Sequence, residues 1–378
     1  MAVEIKILSG TSNYYIDYMD IETNNLRKTK PVIKGYTLKE LKDYFSSIGE
    51  KRFRGEQVFN WFYRHLIDSY DDMQNIPKTL REKLSVAAGE VNTLKLNSKI
   101  SSKLSGTSKY LFEASDGYKI ESVVIPEFKR TTLCVSTQVG CPLDCKFCAT
   151  GLMGYRRNLT SGEIFDQYKF AAINYNGRQI KNIVYMGMGE PLLNFTETVR
   201  SLKIFAEDLT PELRLRRITV STVGIAPKII ELADLELKVN LAFSLHSCFE
   251  DIRSRLIPIN DKYSLKENLD AIRYYTKKTH TRITFEYVMI EGINDREEDF
   301  YELIKLCKSL PCKINVIPFN SLEHMNPKGF SADLRPTSPK RINAFVEALR
   351  DTNITVTVRY TAGDDIAAAC GQLAISEN

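Results

Sequence analysis

Three of the chain's eight cysteines lie close together in the segment GCPLDCKFCATG. Cys141, Cys145 and Cys148 have the spacing C-x3-C-x2-C, and they directly follow a short β-rich run. A structural zinc site or a conventional iron–sulfur site normally uses a fourth local ligand, whereas the next cysteine along the chain is Cys248. Three thiolates on a four-iron cluster leave one iron open to a small chelating ligand. The spacing therefore predicts a [4Fe–4S] cluster with one open iron.

The open iron suits the amino and carboxylate groups of S-adenosylmethionine (SAM). An electron from such a cluster cleaves the sulfonium C–S bond of SAM and yields a 5′-deoxyadenosyl radical. The cysteine motif thus predicts radical chemistry that begins with the transfer of one electron to SAM.

The chain after residue 131 alternates short β-rich runs with helical patterns. Six β–α units predict a parallel sheet with right-handed crossovers, and six units are too few to close an eightfold barrel. We expect an α/β fold with a partial (β/α)6 barrel, whose functional groups gather at the carboxyl ends of its strands. The predicted strands lie near 132–138, 182–188, 217–222, 238–245, 282–289 and 313–318, and the helices near 161–175, 195–207, 226–235, 264–279, 295–309 and 339–350.

The chain before the barrel contains a helical segment and then a hairpin. Three helices are predicted within 35–92. Asp116-Gly117 lies between two apolar-rich runs in 109–126, which is a strong hairpin signal, and Glu121 falls on the second strand. We expect five segments: an N-terminal extension at 1–34, a small helical domain at 35–92, a β-hairpin linker at 93–130, the barrel at 131–352, and a C-terminal strand and tail at 353–378.

Capping-box pairs, in which Ser, Thr or Asp precedes Glu by three residues, mark the starts of four predicted helices. Each pair satisfies backbone N–H groups that a helix start leaves without partners. The pairs are Thr37/Glu40, Thr160/Glu163, Ser264/Glu267 and Asp295/Glu298.

Composition places few limits on the partner. The chain has 378 residues, 43% of them apolar, and a formal net charge of +5. Basic clusters such as 51–54 and 214–217 usually form solvated faces, and they permit contacts with nucleic-acid phosphates without requiring them. No stretch approaches the ~20 apolar residues that span a bilayer, and the first residues lack the pattern of a secretory signal. We therefore expect a cytoplasmic protein without a membrane segment.

The cysteine motif resembles the signature of the radical SAM superfamily, which places this spacing on a loop of a partial barrel. Phe147 matches the aromatic residue that usually precedes the third cysteine in this superfamily. The run Gly187-Met188-Gly189-Glu190-Pro191 looks like the motif that holds the SAM amino group, and it follows the second predicted barrel strand. Together the two motifs favour radical SAM chemistry over a zinc site.

A narrower resemblance covers roughly residues 35–374. The chain looks like the RlmN/Cfr type of bacterial methyltransferase, whose main branch methylates carbon 2 of an adenosine in 23S ribosomal RNA. A sister branch methylates carbon 8 of the same base and confers antibiotic resistance. Pro191 and the run Gln138-Val139-Gly140 favour the carbon-2 branch. The segments that carry the likeness are CVSTQVGCPLDCKFCATG, MGMGEPLLN, STVG, SLH, IPFN and GDDIAAACGQLA.

The resemblance implies roles for three residues that would otherwise be unremarkable. Taken alone, Cys134 in an apolar strand would be a buried core cysteine, Cys370 a tail residue and Glu121 a solvated strand charge. In the family, the residue at Cys370 first accepts a methyl group from one SAM, and the radical from a second SAM activates that methyl group to add to the base. The residue at Glu121 then removes the ring proton, and the residue at Cys134 attacks Cys370 to release the product.

The same resemblance implies which residues contact SAM. Hydroxyl and amide groups at strand ends suit the ribose and the methionine carboxylate. The residues carried over are Gly189, Glu190, Ser221, Ser244, Leu245, His246 and Asn320.

The implied partner is 23S ribosomal RNA that is poor in protein or still assembling. Family members also methylate the adenosine beside the anticodon of certain transfer RNAs. We expect a monomer, a flavodoxin-type electron donor and an RNA-gripping role for the helical segment 35–92. Two alternatives stay open: a radical SAM enzyme with a substrate other than RNA, which needs neither Cys134 nor Cys370, and a non-enzymatic RNA-binding protein, which is indifferent to iron.

Overall fold

The computed structural model describes residues 32–207, 213–359 and 362–375. The predicted N-terminal extension lies almost wholly outside the described residues, as do the last residues of the predicted tail. None of the helices in this part of the chain is long and apolar enough to cross a membrane.

Ten of the strands form one mixed sheet, in the order β1-β2-β3-β4-β7-β8-β9-β10-β11-β12, and β5 pairs with β6 in a separate two-stranded sheet. Pairing is antiparallel from β1 to β4 and parallel from β4 to β12. The strands are β1 Leu94–Ser101, β2 Ser108–Ala114, β3 Lys119–Pro126, β4 Thr131–Cys134, β5 Gln138–Gly140, β6 Tyr155–Asn158, β7 Ile180–Tyr185, β8 Ile218–Thr222, β9 Asn240–Ser244, β10 Ile283–Met289, β11 Cys312–Pro318 and β12 Val356–Val358.

Helices connect the parallel strands and precede the sheet. A helix follows each of β7, β8, β9, β10 and β11, and the β5–β6 insertion with α4 lies between β4 and α5. The predicted α/β fold with a partial (β/α)6 barrel is confirmed. The α-helices are α1 Leu38–Ser47, α2 Phe53–Tyr63, α3 Lys78–Ala87, α4 Ala149–Leu152, α5 Ser161–Asn174, α6 Phe195–Ala206, α7 Ala226–Asp234, α8 Glu250–Leu256, α9 Leu265–Thr279, α10 Glu297–Lys308, α11 Phe330–Asp333 and α12 Pro339–Asp351.

The predicted hairpin is present, but it is part of the main sheet. β2 and β3 pair across the Asp116-Gly117 turn, and Glu121 lies on β3 opposite Leu111. β3 then pairs with the first barrel strand, β4. The sequence analysis did not predict β1, whose side chains after Leu94 are mostly exposed, because an exposed edge strand carries little apolar alternation.

Three of the four predicted capping boxes are confirmed, at Thr37, Thr160 and Ser264. The fourth is wrong by one residue. Arg296 is the residue that precedes α10, and its backbone N–H donates to the Asp299 carboxylate at 3.1 Å. The carboxylate of Asp295 is instead used by the neighbouring loops, where it accepts bonds from the N–H of Gly292 and the hydroxyl of Thr337.

The helical segment packs against barrel helix α5. The ring centroids of Tyr63 and Phe165 are 4.7 Å apart in an edge-to-face contact. Lys34 directly precedes this segment, and its buried ammonium donates to the carbonyl of Phe62 at 3.4 Å and lies 3.3 Å from the carboxylate of Asp166 on α5. Apolar and ionic contacts therefore hold this segment on the barrel.

Candidate active site

A cavity that opens to solvent lies at the carboxyl ends of the parallel strands. This is the position that the barrel prediction gives to functional groups. The predicted site residues that line it are Cys141, Cys145, Cys148, Gly189, Glu190, Ser221, Ser244, His246, Asn320 and Cys370. Cys134, Glu121 and Leu245 do not line this cavity.

The cluster loop begins with a close approach between two backbone segments. Gly140 has a φ of +73°, and a Cβ at this position would lie 1.8 Å from the carbonyl oxygen of Gly154. The N–H of the next residue, Cys141, donates to that same carbonyl at 3.0 Å. Glycine at position 140 therefore allows β6 to hold the start of the cysteine loop.

The C-terminal tail is bound to the end of this loop. The N–H of Ala149, directly after Cys148, donates to the carbonyl of Gly371 at 2.7 Å. The hydroxyl of Thr150 donates to the carbonyl of Leu373, also at 2.7 Å. These bonds place Cys370, although 222 residues separate it from Cys148 in sequence, on the wall of the same cavity.

The three loop cysteines offer sulfur ligands to one cavity. Burial raises the pKa of Cys145 well above its ordinary value, and Cys141 and Cys148 raise it further. Thiolates that hold an iron–sulfur cluster bind different irons, and the bound metal keeps them deprotonated. The donor set therefore fits a cluster with three cysteine ligands.

The glycine-rich run after β7 places a carboxylate at the cavity. Gly189 has a φ of +97°, and a Cβ there would lie 2.5 Å from the side chain of Gln138. Glu190 is 3% exposed, and its carboxylate accepts bonds of 3.0 Å from the N–H groups of Leu192 and Val223. Burial raises the pKa of Glu190 to about 7, although these hydrogen bonds act to lower it.

His246 lies at the cavity as a neutral donor. Its Nδ1 accepts a 3.1 Å bond from the N–H of Val288, which places the ring proton on Nε2. Burial lowers the pKa of His246 to about 3, and its ring packs edge-on against Phe147 with the centroids 4.5 Å apart. His246, which follows β9, therefore contacts both Phe147 on the cysteine loop and Val288 on β10.

Leu245 differs from the other residues predicted to contact SAM. Its side chain is fully buried in the core. Its N–H donates to the carbonyl of Glu286 at 3.0 Å, and its carbonyl accepts a bond from Arg253 at 3.2 Å. Its side chain therefore packs in the core, and its backbone is already used by the protein.

Cys134 and Cys370 lie near each other beside the cavity. Cys134 is 8% exposed at the end of β4, and burial together with the nearby Cys370 raises the pKa of its thiol to about 12. The side chain of Cys370 is accessible to solvent. The protein around it raises the pKa of Cys370, and the guanidinium of Arg359 acts in the opposite direction.

Glu121 lies beneath the tail. It is 5% exposed, and it shares the face of β3 with Val123, which is opposite Cys134. Its Oε1 is 2.9 Å from the Nζ of Lys109, and Nζ also donates to the carbonyl of Ala367 at 3.3 Å. Burial raises the pKa of Glu121, and the Lys109 ammonium opposes that rise.

Sequence reasoning missed three charged residues that shape the cavity. Arg253 is fully buried, and its guanidinium bonds to the carbonyls of Val223 and Ser244, which joins the ends of β8 and β9. Glu286 and Arg359 line the cavity itself. Arg359 directly follows β12, so the strand-end rule applied to the predicted C-terminal strand offered a signal for it.

Family models match two parts of the chain. The model described as the radical SAM superfamily matches residues 135–304. The model described as the ribosomal RNA large subunit methyltransferase N-terminal domain matches residues 33–89.

Named relatives and a solved structure cover most of the chain. A probable dual-specificity RNA methyltransferase RlmN of Clostridioides difficile is 43% identical over 92% of this chain and 98% of its own. The dual-specificity RNA methyltransferase RlmN of Alcanivorax borkumensis is 41% identical over 90% of this chain and 89% of its own. A crystal structure of a radical SAM methyltransferase from Sphaerobacter thermophilus has a TM-score of 0.83 and 42% identity, covering 91% of this chain and 99% of that one.

Proposed function

This chain belongs to the RlmN family of radical SAM RNA methyltransferases, and on that basis we propose that it methylates carbon 2 of an adenosine in the peptidyl-transferase centre of 23S ribosomal RNA. The observation that carries the proposal is that the C-terminal tail is hydrogen-bonded to the end of the cysteine loop. The backbone N–H of Ala149 and the hydroxyl of Thr150 bind the carbonyls of Gly371 and Leu373, and Cys370 lines one cavity with Cys141, Cys145 and Cys148. A radical SAM enzyme without a methyl-carrying thiol has no need of that arrangement.

The cofactors of the family are a [4Fe–4S] cluster and SAM, with two SAM molecules used per turnover. When bound, they supply a 5′-deoxyadenosyl radical. In our proposal Cys141, Cys145 and Cys148 hold the cluster, and Glu190 binds the SAM ammonium. Ser221, Ser244, His246 and Asn320 offer hydroxyl, imidazole and amide groups to the rest of SAM. Gly189 allows the glycine-rich run to approach Gln138 closely and so sets the position of Glu190, and Leu245 holds its neighbours Ser244 and His246 in place from the core.

Cys370 carries the methyl group between SAM and the base. Its sulfur displaces the methyl group from SAM, so that an S–CH3 bond forms, a sulfonium C–S bond breaks and a proton is released. Transfer of one hydrogen atom from the S-methyl group to the 5′-deoxyadenosyl radical would give 5′-deoxyadenosine and a methylene radical, which would add to carbon 2 of adenine. A radical is required because carbon 2 lies between two ring nitrogens and does not attack an electrophilic methyl group.

Two further residues complete the reaction in our proposal. Glu121 removes the proton from carbon 2, a task that suits a buried carboxylate whose pKa is raised. Cys134, as its thiolate, then attacks the Cys370 sulfur: an S–S bond forms, the bond between that sulfur and the methylene carbon breaks, and the carbon takes up a proton to become the methyl group. The mutual proximity of the two cysteines supports this step. The unpaired electron that the radical addition leaves on the adduct would return to the oxidised cluster.

The partner chemistry follows from the same proposal. The RNA is ribosomal RNA that is poor in protein, because the target base must be unstacked to reach the cavity. The helical segment 35–92 grips that RNA, and a transfer RNA with an adenosine beside its anticodon is a second substrate. We propose that the enzyme acts in the cytoplasm as a monomer and receives electrons from a flavodoxin-type donor.

The test is anaerobic assembly of the cluster, followed by SAM, dithionite and protein-free ribosomal RNA. Mass spectrometry of the products follows 5′-deoxyadenosine and the methylated nucleoside. We expect both, with 2-methyladenosine lost in the Cys370→Ala variant. Formation of 8-methyladenosine would place the chain in the sister branch. Deoxyadenosine without methylated RNA would refute an RNA substrate, and full activity of Cys370→Ala would refute the methyl-carrier role.

A further inference from the structure

Arg359 lines the cavity beside Cys370, and the reaction described above leaves it without a role. Its backbone N–H donates to the carbonyl of Val316 at 2.8 Å. This bond continues the parallel pairing of β12 with β11 by one more residue. The base of the side chain is therefore fixed to the sheet, at the end where the cavity opens.

The guanidinium of Arg359 has three neighbours. It acts on the side chain of Cys370, which lines the same cavity. Its Nη2 lies 3.9 Å from Oε1 of Glu286, and its Nη1 donates to the sulfur of Met186 at 3.5 Å. With 35% of its side chain exposed, Arg359 is partly sheltered from water, which strengthens its electrostatic interactions.

Glu286 is held firmly on the other side of this guanidinium. It is 3% exposed and pairs in register with Asn315 of β11, whose side-chain amide donates to its Oε1 at 2.8 Å. Its Oε2 is buried and has no hydrogen-bond partner among the described residues. A buried carboxylate of this kind needs a cation nearby, and Arg359 supplies one. Glu286 thereby limits the directions in which Arg359 can point.

The reaction needs a sulfur anion at this position. A thiolate, and not a thiol, attacks the methyl group of a sulfonium. Burial within the protein disfavours the anion of Cys370, as does the nearby carboxylate of Glu286. The guanidinium of Arg359 favours the anion through its positive charge. It acts on Cys134 in the same direction, although burial dominates there.

We propose that Arg359 is a positioning residue for the methyl-accepting step: its guanidinium, held by Glu286, orients the Cys370 sulfur toward the cavity and stabilises it as the thiolate. This inference rests on the proposed function, because it assumes that Cys370 accepts a methyl group. The step is balanced by the release of the thiol proton, and SAM leaves as S-adenosylhomocysteine.

The test follows methylation of Cys370 alone, without reductant or RNA. The cluster is assembled after purification in the absence of SAM. SAM with a trideuterated methyl group is then added, and label on the Cys370 peptide is measured by mass spectrometry between pH 7 and pH 9.5. The variants are Arg359→Gln, which loses the charge, and Arg359→Lys, which keeps it. Iron content and SAM affinity are measured for each protein.

We expect Arg359→Gln to methylate Cys370 at least about tenfold more slowly at pH 7.5, which corresponds to about 1.4 kcal/mol. The deficit should shrink toward pH 9.5, where the thiolate forms with less assistance. Arg359→Lys should recover a substantial part of the rate, and iron content and SAM affinity should stay within about twofold of the natural protein.

Three results would overturn the inference: an unchanged rate in Arg359→Gln, a deficit that is equal at every pH, or a Lys variant as slow as the Gln variant. If Arg359→Gln loses its cluster, Arg359→Lys is compared with the natural protein instead. A Lys variant whose methylation rate is reduced tenfold, with no recovery at high pH, would then count against the proposal. Absence of label on Cys370 in the natural protein would instead refute the proposed function itself. The two failures are thus distinguishable.

Discussion

Glu121 forms a buried ion pair with Lys109, in which Oε1 and Nζ are 2.9 Å apart. Its other oxygen, Oε2, makes no well-formed hydrogen bond among the described residues, although the backbone N–H of Ala374 lies close enough to favour the carboxylate. Lys109 also bonds to the tail, at the carbonyl of Ala367. The base proposed for the reaction is therefore held by the same tail that carries Cys370, and one of its oxygens remains available for a proton.

Replacement of Glu121 by Gln should stop the reaction after the radical has added to the base. The amide keeps the shape of the side chain but cannot accept the ring proton, so a covalent link between Cys370 and RNA should accumulate. Gel electrophoresis under denaturing conditions measures this link. Free 2-methyladenosine should fall by at least about a hundredfold, in line with the usual loss on removing a general base.

The matched control for this variant is Glu113→Gln. Glu113 lies on the neighbouring strand β2 and bonds to Asn97 at the surface, so its loss should leave turnover and cross-linking unchanged. Normal turnover by the Glu121→Gln variant would show that another group removes the proton.

Replacement of Cys134 by Ala should trap the same covalent adduct by a different route. The ring proton can leave, but no second thiol can attack the Cys370 sulfur. The RNA–protein link should accumulate, and added small thiols should release part of it. Cys248→Ala is the control, because Cys248 is half-buried but follows β9, which β7 and β8 separate from the strand of Cys134. An undiminished yield of methylated RNA from Cys134→Ala would contradict the role.

Replacement of Gly189 by Ala should weaken SAM binding. The residue needs a φ of +97°, and the new Cβ would lie 2.5 Å from the side chain of Gln138. Relief of this clash should shift the neighbouring Glu190, which binds SAM in our proposal, so we expect a loss of affinity of about tenfold, or about 1.4 kcal/mol, with iron content unchanged. Gly117→Ala is the control, since Gly117 has a φ of +83° with no atom within 4 Å of its Cβ position. Equal SAM affinities of the two variants would refute steric control at Gly189.

Much of the fold was predictable because its signals are local. Thr37, Thr160 and Ser264 each satisfy a backbone N–H three residues away, so a four-residue pattern is enough to locate a helix start. The Asp116-Gly117 turn is similarly local. The predicted helix cap at Asp295 was wrong because its carboxylate bonds to Thr337, 42 residues later. A partner so far along the chain cannot be recognised from a four-residue pattern.

The site was predictable in part, for the same reason. The cysteine loop is a local motif, whereas the Arg359–Glu286 pair depends on the register of three strands. Glu286, Asn315 and Thr357 lie side by side on β10, β11 and β12, and Arg359 follows two residues later. No spacing within one segment encodes that neighbourhood. Leu245 does lie in a local motif, but the motif alone does not say that the side chain of Leu245 packs in the core.

Lys34 provides a test of how the helical segment is held to the barrel. It is 2% exposed, and its ammonium lies between 5.2 and 5.3 Å from the ring centroids of Phe62, Tyr63 and Phe165. Burial lowers the pKa of Lys34 from 10.5 to about 8, against the opposing charge of Asp166. In the Lys34→Met variant the buried Asp166 loses its cation, so the folded protein should lose about 3–5 kcal/mol at pH 7.

The dependence of this loss on pH has a definite sign. Between pH 8 and pH 10.5 the unfolded chain keeps the Lys34 proton while the folded protein has released it, so rising pH favours the folded state. The variant lacks this group, and its deficit should therefore grow by up to about 3 kcal/mol across that window. Thermal unfolding of the cluster-loaded natural protein and of the variant, at pH 7 and pH 9.5, measures the difference between their free energies of unfolding. Groups that titrate in both proteins contribute equally and cancel from this difference. A deficit that stays constant or shrinks as the pH rises would mean that Lys34 is not buried as a cation between the helical segment and α5.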